Sequence, residues 1–136
     1  MVVRIPSEMK VLVLILIGLL VAGCGQSKKT RFIDEIIAGG LSERDAILQG
    51  DSSFSDYKVY RDGNNDGVCY EYIFKVNLPE DESNRFPSSI RGELINVLKS
   101  DGTTKNVMGK GIHFRFIYKN PDGRVIADQK ISSSDF

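Results

Sequence analysis

Two stretches of this chain alternate so regularly that they leave few folds open. From Val68 to Leu78, Val68, Tyr70, Tyr72, Phe74 and Val76 alternate with Cys69, Glu71, Ile73 and Lys75. From Ile112 to Lys119, Ile112, Phe114, Phe116 and Tyr118 alternate with His113, Arg115, Ile117 and Lys119. A period of two sends successive side chains to opposite faces of a strand. Each stretch is therefore a strand with one aromatic face that has to be buried and one mixed face that can stay wet. Two aromatic strand faces need a cover, and the remaining sequence has to supply it.

The cover is read as helical. Phe32, Ile33, Ile36 and Ile37 fall on one side of a predicted helix over residues 30–38, which Gly39-Gly40 is expected to end. A second begins at Ser42, where Ser42-Glu43-Arg44-Asp45 approximates a capping box with Asp in place of Glu, and runs to Gly50. Residues 57–61 read as a strand, joined through a turn at Asp62 to Gly67 to the first aromatic strand. Pro79 to Asn84 is a loop by composition. From Ser88 or Ser89 to Lys99 the stripe Ile90, Leu94, Val97 and Leu98 marks an amphipathic helix, with Gly102 as its stop and residues 103–108 adding a turn or two. Asn120-Pro121-Asp122-Gly123 is a tight-turn signal, so residues 124–131 return as the second arm of a hairpin. The expected fold is α+β: a small two-layer domain, with an antiparallel sheet of about four strands packed by helices on one face.

Ahead of this domain lies a different kind of segment. Arg4 and Lys10 precede an apolar run from Val11 to Gly23, and Gly25-Gln26-Ser27-Lys28-Lys29 follows Cys24. The run is 13 residues long, against about 20 for a helix that crosses the hydrocarbon core. A basic start, a short apolar middle and small residues at the cut describe a signal peptide; a start at Met9 would make it more compact still. Val21-Ala22-Gly23-Cys24 resembles the lipobox of bacterial lipoproteins. That resemblance covers the first 24 residues and implies that the Cys24 thiol is diacylglycerylated, the chain cut between Gly23 and Cys24, and the new amino terminus acylated. Each buried methylene contributes about 0.8 kcal/mol, so two or three chains on Cys24 hold a protein at a membrane far longer than one does. The expected organisation is a signal peptide over 1–23, a lipidated tether over 24–29 and one globular domain over 30–136. In a cell with two membranes, Gly25 is not the Asp that typically retains lipoproteins at the inner one, so the resemblance points to the outer membrane, facing the periplasm.

Charge narrows the partners. The full chain carries 18 basic and 18 acidic side chains, which become 16 and 17 once Arg4, Lys10 and Glu8 leave with the signal. Nucleic-acid binders show a strong basic excess, so nucleic acid is not an expected partner. With Cys24 committed to lipid, Cys69 is left without a disulfide partner in the chain.

Few residues suggest chemistry. Asp62-Gly63-Asn64-Asn65-Asp66-Gly67 matches the opening of a calcium loop, with oxygen ligands Asp62, Asn64 and Asp66 at alternate positions and a glycine at the sixth. The twelfth position, where a bidentate Glu completes that motif, is Ile73. The same composition also serves a plain turn between strands, which is the preferred reading. His113 is the single histidine and shares the wet strand face with Cys69, but no third group is identifiable to orient a thiol–imidazole pair. On that face Ile73 and Ile117 form a small apolar island among charges, a candidate partner-binding spot.

The expectation is a lipid-anchored, non-enzymatic envelope protein without a cofactor, which binds or helps assemble another envelope protein. Its layout is similar to small lipoprotein pilotins and assembly factors of secretion systems, a likeness of architecture that brings no residues with it. The alternative is a calcium- or small-ligand-binding envelope domain using the Asp62 to Gly67 loop. Mass spectrometry of the membrane-extracted protein is expected to find acyl mass on Cys24 at the mature amino terminus. A Cys24→Ala variant should remain an uncleaved precursor or leave the membrane fraction, and an unmodified Cys24 would overturn the lipoprotein reading.

Overall fold

A computed structural model describes residues 28–50, 53–63 and 66–136. The expected signal peptide, the lipidation residue Cys24 and Asn64 of the loop lie outside the described residues. The elements are α1 (Lys28–Ser42), α2 (Arg44–Gly50), β1 (Phe54–Asp62), β2 (Gly67–Phe74), α3 (Glu80–Lys99), α4 (Gly102–Gly109), β3 (His113–Lys119) and β4 (Val125–Ile131), followed by a single 3-10 turn at Ser133–Asp135. The domain is α+β, with helices packed on a four-stranded sheet of order β1-β2-β3-β4. Among the described residues no helix is long and apolar enough to cross a membrane.

Two of the three strand pairings are antiparallel, β1 with β2 and β3 with β4. The central one is not. β2 and β3 run parallel, Val68 opposite Phe114, Tyr70 opposite Phe116 and Tyr72 opposite Tyr118, which corrects the expectation of a wholly antiparallel sheet. The cause is the connection: α3 and α4 carry the chain back before β3 starts, and a crossover of a dozen or more residues is what a parallel pair requires.

That register stacks the two aromatic faces on each other. Tyr70 and Phe116 have ring centroids 5.2 Å apart and Tyr72 and Tyr118 4.9 Å, both pairs 11° from coplanar. Phe86 of α3 meets Phe74 and Tyr118 edge-on. Aromatic pairs of this kind contribute about 0.5–1.5 kcal/mol each beyond their buried area. Ile90, Leu94 and Leu98 of α3, Ile33 and Ile36 of α1 and Ile47 of α2 are buried in the same cluster as these rings, so the helices share one side of the sheet. The Tyr57 and Tyr70 hydroxyls lie in this core without a hydrogen-bond partner among the described residues. Burial pushes both phenols well above their ordinary pKa and keeps them neutral.

Four local expectations change. Gly39-Gly40 does not end α1, which runs to Ser42; a Cβ on Gly40 would come 2.8 Å from a Val59 methyl, so this glycine serves close helix–strand approach. That helix also starts earlier than the predicted residue 30, since Lys28 and Lys29 already belong to α1. The stretch read as a loop after Pro79 is the first turn of α3, where Glu80, Asp81 and Glu82 face the positive end of the helix dipole. Pro87 then sits inside α3. Finally, β2 stops at Phe74, leaving Val76 beyond the strand and exposed.

Leu94 is 2% exposed in the centre of the cluster. Leu94→Ala is expected to cost about 2–5 kcal/mol in chemical denaturation, because the contacts of a buried leucine are lost and a cavity remains. Leu41→Ala, at a surface position, should change stability by less than about 0.5 kcal/mol.

Candidate functional site: the open face of the sheet

With the helices on one side, the other face of the sheet is built from alternate residues of four strands. Strand register sets them in rows. Asp62, Gly67 and His113 form the first, Tyr60, Cys69, Arg115 and Lys130 the second, and Lys58, Glu71, Ile117 and Asp128 the third. Ile73, Lys119 and Val125 make a fourth. Cys69 and Ile117, although buried, stand outside the aromatic core cluster.

The first row works because its middle residue has no side chain. A Cβ on Gly67 would overlap the His113 ring at Nε2, Cε1 and Cδ2, so only glycine lets the imidazole lie across β2. Nε2 reaches Asp62 Oδ2 on β1 at 2.6 Å. An ionised carboxylate only accepts, so Nε2 carries the proton and donates it. The other carboxylate oxygen, Oδ1, accepts from Arg115 at 3.2 Å. Burial alone would raise the Asp62 carboxyl, but the hydrogen bonds from His113 and Arg115 and the Arg115 charge hold it below the usual aspartate range.

Arg115 carries the network to the far edge. Its guanidinium takes Asp128 of β4 in a fork, with Nε to Oδ1 at 2.7 Å and a terminal nitrogen to Oδ2 at 2.5 Å. Those bonds raise the guanidinium above its already high pKa and, with the Asp128 charge and the Asp62 contact, outweigh the opposing cost of burial. Two carboxylates on strands β1 and β4 are thus tied through one arginine.

Glu71 is the second hub. It is 6% exposed although no helix among the described residues covers it. The Tyr60 hydroxyl donates to Oε1 at 3.0 Å, Lys119 stands 3.3 Å from the same oxygen and Lys58 3.9 Å from Oε2. A buried carboxylate costs several kcal/mol unless it is paired and hydrogen-bonded, and here neighbours from β1 and β3 supply both. Cys69, in the same patch, is fully buried, and burial pushes its thiol up to about 11. The thiol is protonated near neutral pH, which is the opposite of an activated nucleophile.

The other sequence candidates fall as follows. Cys69 and His113 do share this face on neighbouring strands, but the Nε2 of His113 is held by Asp62. Asp62 has both oxygens engaged, the backbone oxygen of Asp66 accepts from the His113 amide at 3.0 Å, and Asp66 Oδ1 is buried without a hydrogen-bond partner among the described residues. Among the described residues no group of three or more His, Cys, Asp or Glu side chains is placed to hold a metal ion. Of the apolar island, Ile117 is only 8% exposed and Ile73 is half-buried. Val125, across Lys119 from Ile73, is half-exposed and adds an apolar surface that the sequence pattern did not single out.

Sequence reasoning missed the Asp62–His113 pair altogether. Its signal was Gly67, a glycine at a strand start, which was assigned to the turn. No protein-family model matches this chain, and neither the curated proteins nor the solved structures contain a match.

Asp62→Asn is expected to cost about 1.5–3 kcal/mol at neutral pH, the range for hydrogen bonds to a charged group. The sign with pH follows from the depressed folded-state pKa. The wild-type advantage should be fully present above the unfolded aspartate value of about 3.9 and shrink as pH falls through the lower folded value. Paired denaturation curves at neutral and acid pH check this, and a gap that stays constant into acid would refute it.

Proposed function

We propose that this is a lipid-anchored protein of the cell envelope whose single α+β domain acts without enzymatic chemistry, binding or helping to assemble another envelope protein through the open face of its sheet. The reading of the anchor rests on the signal-like segment and Cys24, and in a cell with two membranes the place would be the periplasmic side of the outer one. The observation that carries the binding role is the one-sided cover: the helices bury their apolar stripes against one sheet face, leaving the other as a broad surface of paired charges.

Such a surface suits recognition. Its side chains are already held in place by one another, so a partner that docks there pays less for ordering them. The charges are interleaved, positive beside negative, which favours one register of approach over others. Tyr60, at 39% exposure, and the flank of Ile73 and Val125 offer apolar contact beside them, and tyrosine is among the residues that concentrate binding energy at interfaces.

A second reading, a cation or small ligand at the Asp62 to Gly67 loop, has one observation in its favour, the buried Asp66 Oδ1 that has no partner among the described residues. Cross-linking in intact cells followed by capture from detergent-solubilised membranes should return one recurrent protein, and a Val125→Glu, Ile73→Glu variant of unchanged fold should lose it. Repeated capture of nothing would sink the first reading. Calorimetric heat with millimolar calcium that vanishes in Asp66→Ala would establish the second instead.

A further inference from the structure

β1 and β4 are the outer strands of the sheet, and an outer strand turns half of its backbone groups away from the ladder. The two edges are not alike. On β1 the Tyr57 amide donates to Asp56 Oδ1 at 2.8 Å and the Tyr57 carbonyl accepts from Arg44 Nε at 3.3 Å, while α1 and α2 pack against the strand. β4 is less protected, and the register shows which of its groups are involved. The His113 amide donates to the Asp66 carbonyl on the β2 side, so the odd positions of β3 turn toward β2 and the even ones, Phe114, Phe116 and Tyr118, toward β4. Their partners on β4 are Ile131, Gln129 and Ala127. Asp128 and Lys130 therefore turn their N–H and C=O groups outward. In keeping with that direction, the Lys130 carbonyl accepts from Arg91 of α3 at 3.3 Å. The Lys130 amide and both backbone groups of Asp128 have no partner among the described residues.

Charge decides what such an edge can accept. A second copy related by a two-fold axis meets β4 antiparallel, with outward groups opposed to outward groups. Three positions of the axis keep both charged residues central in the paired segment. An axis at Asp128 sets two aspartates opposite each other and an axis at Lys130 sets two lysines, and like charges directly opposite are destabilising. An axis at Gln129 sets Asp128 opposite Lys130 of the partner subunit, and does so twice. Both residues are exposed, so pairing the strands leaves their side chains in contact with water. Lys130 forms no ion pair among the described residues. Asp128 is held by Arg115, but a carboxylate has about four acceptor sites and can take an ammonium group as well. Arg91 is neutralised by Asp135 at 2.7 Å, and the carbonyl it touches has a second lone pair to offer.

We propose that two copies of this chain pair β4 to β4, antiparallel about Gln129, and so join two four-stranded sheets into one. Asp128 and Lys130 exchange backbone hydrogen bonds with Lys130 and Asp128 of the partner subunit, and the same residues form two cross-strand ion pairs. The segment from Ala127 to Ile131 is short, which makes the dimer concentration-dependent rather than permanent. Edge pairing leaves the open faces uncovered and continuous with each other, so it neither requires nor blocks a different protein there.

Sedimentation equilibrium of the full chain in density-matched detergent is expected to show this dimer. Lys130→Glu, at an exposed position, sets acid against acid at both ion pairs and should weaken dimerisation about tenfold or more. Cysteine cross-linking checks the register independently. Residues opposed in a non-hydrogen-bonded antiparallel pair have Cα atoms about 4.5 Å apart, which suits a disulfide, and Gln129 would face its own copy in that way. Residue 130 would stand opposite residue 128 instead, farther from its own copy than the ~7 Å a disulfide tolerates. Mild oxidation should therefore cross-link Gln129→Cys well above the unsubstituted chain, and Lys130→Cys no more than that chain. A dimer indifferent to Lys130→Glu, or equal cross-linking of the two cysteine variants, would overturn the proposal. So would a chain that stays monomeric at every concentration, an outcome that leaves this edge to a strand from a different protein.

Discussion

Everything in this domain depends on the stacking of two aromatic strand faces in parallel register. Tyr70 on Phe116 and Tyr72 on Tyr118 form a continuous apolar plate across the centre of the sheet, and rings of that size cannot be left in water. The helices answer that demand. Phe86, Ile90, Leu94 and Leu98 line α3 against the plate, and α1 and α2 complete the cover beside β1. Cover on one side is enough, because antiparallel edges can carry a polar outer face.

The consequence is a sheet whose second face had to solve a different problem. Long polar side chains there fold over one another, and the result buries Cys69 and Glu71 without any overlying element among the described residues. Each carboxylate is held between cations from other strands: Asp62 and Asp128 through Arg115, Glu71 through Lys58 and Lys119. Exposed pairs of this kind contribute little singly. As a network tying β1 to β4 they fix side-chain positions, and fixed positions are what a recognition surface needs. Gly67 is the hinge of that arrangement, since the missing side chain is what lets His113 cross β2 to Asp62.

The His113 imidazole ties the start of β3 into this network. Through Nε2 it belongs to the open face and helps to hold β1 against β3. Its bond to Asp62 joins His113 to the Asp62–Arg115–Asp128 chain, which runs the width of the sheet.

The amino-acid order by itself determined what depends on near neighbours. Alternation placed Tyr70, Tyr72, Phe114, Phe116 and Tyr118 on buried faces and Cys69, Glu71, His113 and Arg115 on the other, and those assignments hold. The Asn120 to Gly123 turn specified the β3–β4 hairpin, and the stripe of Ile90, Leu94 and Leu98 specified a core helix. The lipobox-like quartet ending in Cys24 is equally local. Tertiary structure alone decided what depends on distant residues. The direction of β3 against β2 follows from a helical crossover, and no short-range signal encodes it. Pro79 to Asn84 reads as a loop until the N-terminal dipole of α3 gives its three acids a place. Gly40 and Gly67 read as a helix stop and a turn until Val59 and His113 arrive from elsewhere to occupy the space a side chain would have filled. Glycine carries no pattern of its own, so its purpose is visible only in what packs against it.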